Sequence, residues 1–192
     1  DSVTMLPDSI RLDTTHITAR RMETQRDSIN RFTATGDVAM LRGDLAARCG
    51  ESEYRRSDSM LVLRYSPIAW YEQSQITGDS IALFMADGTL RRMSVIRNAF
   101  SLSQSKPSDT SSVWPEGRFD QTKGKNIHLT FVNENPDSIR VEETAVSLYY
   151  LFDGNALNGV RRESGDLIII RFIDGEAETI HTIGGVEGTY FP

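Results

Sequence analysis

One cysteine and three histidines are all that 192 residues offer for thiol or imidazole chemistry. A single Cys49 excludes an internal disulfide and a cysteine-based zinc site. His16, His128 and His181 lie far apart and form no ligand-spaced cluster, so neither a metal nor a cofactor is expected. No run of about 18 apolar residues occurs, which excludes a transmembrane helix; the densest stretch, Leu167 to Ile173, is interrupted by Arg171. Positive charge is also scarce. Lys and Arg total 21 against 27 Asp and Glu, for a net charge of −6 and a pI near 5.1. A general nucleic-acid binder would carry a clustered basic face instead.

Catalytic signatures are missing too. There is no G-x-S-x-G elbow, and Gly184-Gly185 leads into no Gly-Lys-Ser/Thr phosphate loop. Gly124-Lys125 reads as a turn. Glu142 and Glu143 are neighbours on an extended segment and would point to opposite faces, so they make no carboxylate dyad. Arg48 beside Cys49 is a mild thiolate-stabilising context, but a small, partly buried residue is the simpler assignment. Four arginine pairs (Arg20-Arg21, Arg55-Arg56, Arg91-Arg92, Arg161-Arg162) suit phosphate by geometry. On strands, each pair splits between two faces, which favours solvated outer arginines. No enzyme is expected.

What is present is alternation. Ile127, Leu129 and Phe131 alternate with Asn126, His128 and Thr130; Ile81, Leu83 and Met85 do so apart from Phe84; Ile168, Ile170 and Phe172 share a segment with Arg171; Ile139 and Val141 flank Arg140. Period two marks half-buried strands. The best helical candidate, Arg11 to Ile29, has no clean apolar stripe. Asp87-Gly88 and Asp174-Gly175 are two-residue hairpin signals. Asp153-Gly154, Ser164-Gly165 and four Gly-Asp pairs add further turn signals. The expectation is an all-β chain of at least ten strands with little helix. Ser103 to Gly117, Ser-rich with two prolines, reads as a long exposed loop, with Trp114 as a candidate anchor.

The alternating units repeat. Shifting Leu83–Leu102 by 46 places Leu83 on Leu129, Met85 on Phe131, Met93 on Ile139, Val95 on Val141 and Ala99 on Ala145, with no gap. A shift of 87 places Leu83 on Ile170, Met85 on Phe172 and Ala99 on Val186. A shift back by 61 places Met93 on Phe32 and Ala99 on Val38. The chain is thus expected to be one domain of internal repeats, at about 27–49, 74–102, 124–150 and 165–190, with the loop at 103–117. Each copy has one apolar face, and stacking the copies buries a continuous strip. The start at Asp1 is expected to be that of a segment of a longer protein.

Thr35 to Cys49, Ser74 to Phe84 and Asp87 to Val95 together resemble the OstA-like (organic solvent tolerance) family. That family includes the lipopolysaccharide-transport protein LptA and the N-terminal domain of LptD. Gly124 to Phe131, Val141 to Tyr150 and Gly185 to Pro192 are similar to the larger OstA-like proteins of Bacteroidetes-type bacteria. The family's Gly-Asn-Ala reads Arg97-Asn98-Ala99 and Glu143-Thr144-Ala145 in this chain.

The resemblance implies a fold: an antiparallel sheet bent into an open-ended V, a β-taco or β-jelly-roll. It implies a non-enzymatic, periplasmic or outer-membrane-associated protein of a Gram-negative bacterium, within lipopolysaccharide transport and outer-membrane biogenesis. It implies binding of lipopolysaccharide or a related envelope lipid, and pairing with other OstA-like or Lpt components, or with copies of itself head to tail, by edge-strand addition. An apolar trough needs only apolar side chains to hold acyl chains. The expected lipid-binding residues are Ile81, Leu83, Met85, Ile127, Leu129, Phe131, Ile168, Ile170 and Phe172. The alternative is an assembly scaffold with a fully packed core that binds no lipid. A carbohydrate-processing β-helix would need a ladder of exposed aromatics and paired carboxylates, which these residues do not assemble.

Overall fold

The computed structural model describes residues 14–26, 28–71, 73–105, 117–133, 135–154, 156–173 and 176–192. Arg11 to Asp13, Asp27, the Asp174-Gly175 turn and most of the Ser103–Gly117 stretch, with Trp114, lie outside these residues. The described residues form strands and turns, with no helix among them.

Among the described residues fourteen strands make one antiparallel sheet: β1 (His16–Thr18), β2 (Arg21–Gln25), β3 (Arg31–Arg42), β4 (Leu45–Arg55), β5 (Met60–Arg64), β6 (Ile68–Tyr71), β7 (Ser74–Thr77), β8 (Ser80–Ala86), β9 (Thr89–Gln104), β10 (Phe119–Val132), β11 (Asn135–Asp153), β12 (Ala156–Ile173), β13 (Glu176–Ile183) and β14 (Glu187–Phe191). Six of them, β3, β4 and β9–β12, are long and bend in the middle. The others come as half-length pieces. β5 pairs β4 and β8 on one side of the bend, while β6 and β7 bridge β4 to β9 on the other. The result is two walls folded over each other. The first holds β2, the N-terminal part of β3, the C-terminal part of β4, β5, β8, the N-terminal part of β9 and the rungs after it, ending at β13. The second holds β1, the other halves, β6, β7 and β14.

The bend has a repeated local cause. On every second rung two successive residues take positive φ: Gly36-Asp37 (80°, 49°), Tyr65-Ser66 (62°, 56°), Arg97-Asn98 (57°, 50°), Glu143-Thr144 (56°, 55°) and Gly184-Gly185 (75°, 55°). Left-handed residues interrupt the pleat and turn the strand, and the ladder slips there, between Thr35/Val38 and between Glu142/Ala145. The shifts of −61, +46 and +87 carry Arg97-Asn98 onto three of the other four pairs. A fourth shift, of −32, carries it onto Tyr65-Ser66. This fifth copy has no counterpart among the four sequence repeats.

On the intervening rungs the chain passes close under the next strand. A Cβ on Gly124 would sit 2.5 Å from Val141 Cγ1 and 3.0 Å from the Glu142 carbonyl. Gly78 and Gly165 occupy the same place against Val95 and Thr182. Two turn assignments are therefore corrected. Gly124-Lys125 and Ser164-Gly165 are bends inside β10 and β12, because their neighbours stay hydrogen-bonded on both sides. Gly36-Asp37 and Gly165-Asp166 are bends in the same way. Asp87-Gly88 is a true hairpin turn, with φ of 51° and 80° at its two positions. The 103–117 loop is also shortened at its start: Ser103 and Gln104 still pair with Asp120 and Phe119.

Candidate lipid-binding crease

Register across the first wall lines up two inner rows. The row nearer the bend runs Ala34, Ser52, Leu63, Ile81, Val95, Ile127, Val141, Ile168, Thr182. The outer row runs Phe32, Tyr54, Leu61, Leu83, Met93, Leu129, Ile139, Ile170, Ile180. Leu83, Leu129 and Ile170, equated by the sequence shifts, fall in one row as a consequence of the strand period. Ile81, Ile127 and Ile168 fall in the other. These six side chains are 0–8% exposed. Phe131 is buried at the lip, and Met85 and Phe172 are half-buried there against the same core. All nine candidate residues therefore share the inner face of the first wall. Val95, Met93, Val141 and Ile139 belong with them. The shift of 46 equates Met93 with Ile139 and Val95 with Val141, but the candidates come from one alternating strand of each repeat.

The second wall faces these rows with a different composition. Its row next to the bend holds Val38, Cys49, Ala99, Gly124, Ala145 and Gly165, and the row after that runs Ile17, Met40, Ala47, Ala69, Ile76, Ser101, Thr122, Ser147, Glu163. The next row inward from solvent holds Leu45, Tyr71, Ser74, Ser103, Asp120, Tyr149 and Arg161. None of the polar members was predicted. Alternation arguments search for apolar residues, so a polar inner face reads as an outer one.

The two lips touch between β6 and β10 and between β3 and the β8–β9 turn. Tyr71 of the second wall meets Phe131 of the first edge-to-face, with centroids 5.5 Å apart. Arg42 Nη2 donates to the Gly88 carbonyl in the β8–β9 turn. In the C-terminal half the apolar side chains near the edge are more open. Ile139, Phe172 and Ile180 are half-buried, and Ile173, Ile183, Val186, Tyr190 and Phe191 are exposed.

Charges sit mostly outside. His128 and His181 lie in the outward row between the two inner ones. His128 Nδ1 is 3.0 Å from Ser94 Oγ, and its Nε2 is 3.7 Å from Glu142. Arg140 Nε donates to Glu142 at 2.6 Å, and this hydrogen bond holds the Glu142 carboxyl below its usual range. Glu143 is in the solvated bend, paired with Lys125. Arg97 and Asn98 donate to Asp79 at 3.1 and 2.9 Å, and the Asn98 bond leads in lowering its pKa. Arg20 pairs with Asp37 at the first bend. Cys49 is buried beside the bend, and burial raises its thiol pKa, which argues against a reactive thiolate. Among the described residues no three His, Cys, Asp or Glu side chains gather as a metal site.

This is the architecture of a folded antiparallel sheet of the β-taco or β-jelly-roll class, open among the described residues at β1 and β2 on one side and at β13 and β14 on the other. At the second end β12 is paired on both sides, so β13 and β14 form the edge among the described residues. No family model matches the chain, and no curated protein matches it in sequence. Among solved structures it is similar to LptH, the LptA homologous periplasmic component of the conserved lipopolysaccharide transport device from Pseudomonas aeruginosa. The TM-score is 0.57 at 13% identity, over 77% of this chain and 95% of that one. The two chains share a fold.

Proposed function

We propose that this protein is a non-enzymatic lipid carrier of the bacterial envelope, working in lipopolysaccharide transport and outer-membrane assembly. One observation carries the reading. The fold it shares with LptH encloses two unbroken rows of inner side chains, mostly apolar, that run from β3 to β13. A row of this kind offers acyl chains an environment without polar groups to desolvate, at roughly 0.8 kcal/mol per buried methylene. The nine predicted residues are the proposed lipid contacts. A periplasmic or outer-membrane-associated location, in a Gram-negative bacterium, follows from that role. The free edges at β1/β2 and β13/β14 present unpaired backbone groups to other transport components or to further copies of the chain, head to tail.

Among the described residues most of the two rows is buried against the second wall. Lipid entry thus requires the walls to part, beginning at the Tyr71–Phe131 and Arg42–Gly88 contacts. The same closed packing favours the rival reading, a scaffold that only assembles end to end. A photo-crosslinker on Phe131→Cys separates the two. In a Gram-negative host a carrier yields a crosslinked lipid adduct by mass spectrometry. Crosslinks to neighbouring side chains alone, with no lipid co-purified in native mass spectrometry, would leave the scaffold.

A further inference from the structure

The outward faces of the two walls are built differently. A solvated sheet face is normally polar, in alternation with the buried one. The first wall's outward face interleaves its apolar members with ion pairs: Arg64 with Glu51, Arg55 with Glu53 and Arg140 with Glu142. On the second wall, register defines two outward rows. The one nearer the bend carries Arg48, Ile68, Phe100, Lys123 and Val146. The other carries Trp70, Leu102, Leu148 and Arg162.

Carboxylates are almost excluded from this second face. In a chain of net charge −6, its two rows hold one, Glu187, on the edge strand β14. Arg48, Lys123 and Arg162 are exposed, and none pairs with a carboxylate among the described residues. Arg48 on β4 and Arg162 on β12 stand roughly 30 Å apart by strand spacing, with Lys123 on β10 between them. Apolar side chains fill the interval. Phe100, Leu102, Val146 and Leu148 are half-buried, although no other strand packs over them among the described residues. Phe119 and Phe191 extend the patch toward the lip at 36% and 50% exposure.

Cations on long apolar stems, set around aromatic and branched side chains and kept clear of carboxylates, match the headgroup zone of an anionic bilayer. Lipid phosphates meet the ammonium and guanidinium groups, while the apolar side chains displace water from the acyl boundary. A second copy of the chain fits less well. Two-fold stacking of this face would set the same three unpaired cations near their like, with only Glu187 to offset them. We infer that the outward face of the second wall is a docking surface for an anionic phospholipid bilayer. The docking does not use the crease and stands whether or not the crease holds lipid. The net charge of the whole molecule opposes approach, so binding to anionic vesicles reports the local face.

The test is flotation of the full chain with vesicles of phosphatidylglycerol or of phosphatidylcholine. The wild type is expected to bind phosphatidylglycerol at least about 10-fold more tightly, with the preference shrinking as salt is added. Lys123→Glu should weaken that binding by about 5- to 10-fold. Arg171→Glu makes the same change of net charge at an exposed site on the first wall's outward face, and should change binding by less than about 2-fold. A second measurement needs neither variant. With Trp114→Phe, Trp70 is the one tryptophan left, and brominated phosphatidylglycerol vesicles should quench its fluorescence. Absence of a phosphatidylglycerol preference, or equal losses in Lys123→Glu and Arg171→Glu, would overturn the proposal. So would vesicle binding that leaves Trp70 unquenched, by moving the contact to another face. A dimer in sedimentation without vesicles, altered by Lys123→Glu, would give the face to a second copy and overturn it as well.

Discussion

The two walls of the sheet are built from the same long strands, yet their inner faces obey different rules. On the first wall nearly every inner position from β3 to β12 is apolar. On the second, Met40–Ile76 follows that rule and Ser101–Glu163 does not. A strand passing through the bend keeps its period but not its composition: β10 carries Ile127, Leu129 and Phe131 on one side and Thr122 and Asp120 on the other. The first wall is what a packed core demands. The polar half of the second wall is held by side-chain hydrogen bonds instead, those that Glu163 accepts from Thr182 and Tyr149 and that Asp120 accepts from Ser105.

Charge in the first wall gives the largest expected effect. Leu129→Asp should destabilise the fold by about 4 kcal/mol or more, from the lost leucine and an unpaired buried carboxylate. Urea unfolding measures this directly. Lys123→Ala, on the outward face of the same strand, should stay within about 0.5 kcal/mol. Thr130→Asp is not a silent control, because Thr130 Oγ1 donates to Asp137 at 3.1 Å and lies 2.7 Å from Ser138 Oγ. A new carboxylate there would face Asp137.

The contact between the walls comes next. Phe131→Ala should cost about 3–5 kcal/mol and Tyr71→Ala somewhat less. A double-mutant cycle should return about 0.5–1.5 kcal/mol of coupling from the edge-to-face pair. Additive losses would mean that the walls are not clasped there in solution.

The bend can be tested on adjacent rungs with opposite signs. Gly124→Ala should destabilise by roughly 1–3 kcal/mol, because its Cβ meets Val141 and the Glu142 carbonyl. Thr144→Gly should stabilise by about 1 kcal/mol, since a β-branched residue at φ 55° is strained and glycine is not. Thermal melts of the pair would resolve both. Two losses of equal size would refute the assignment of strain to Thr144.

The smallest effect is a pH slope. Burial raises the Asp120 carboxyl above its ordinary value, opposed by the Ser105 and Tyr150 hydrogen bonds. The folded state therefore holds that proton more tightly than the unfolded chain. The contribution is fully present below the ordinary carboxylate range and is lost as pH rises through the folded value. Wild type minus Asp120→Asn should thus be more favourable in acid than at neutral pH. Urea midpoints of both proteins at the two pH values measure it, and a reversed slope would mean that Asp120 is stabilised as the anion.

Much was legible before any coordinates. Alternation around Ile127–Phe131 and Ile168–Phe172 revealed strands because the side-chain period of a strand is local and fixed. The shifts of 46 and 87 revealed rows because stacked copies with equal spacing must align. The unit around Leu61 to Pro67 went unseen, since its strands β5 and β6 are short and offer few alternating positions to match. Gly124-Lys125 looked like a turn because a glycine that permits close approach and one that reverses the chain are the same letter. Ser147 and Glu163 were invisible as inner-face residues for a similar reason: polarity alone does not say which face a residue occupies.

The chain by itself determined its class, its strand faces and the equivalence of its repeats, because these follow from patterns a few residues long. Only the tertiary structure decided where each strand bends, which wall faces which, and that Ser101, Thr122, Ser147 and Glu163 meet on the inside. Those facts depend on pairing between residues distant in sequence. Bringing Ser147 beside Glu163, or Tyr71 against Phe131, requires the long strands to turn at the left-handed corners, and only the folded ladder brings five such corners into line.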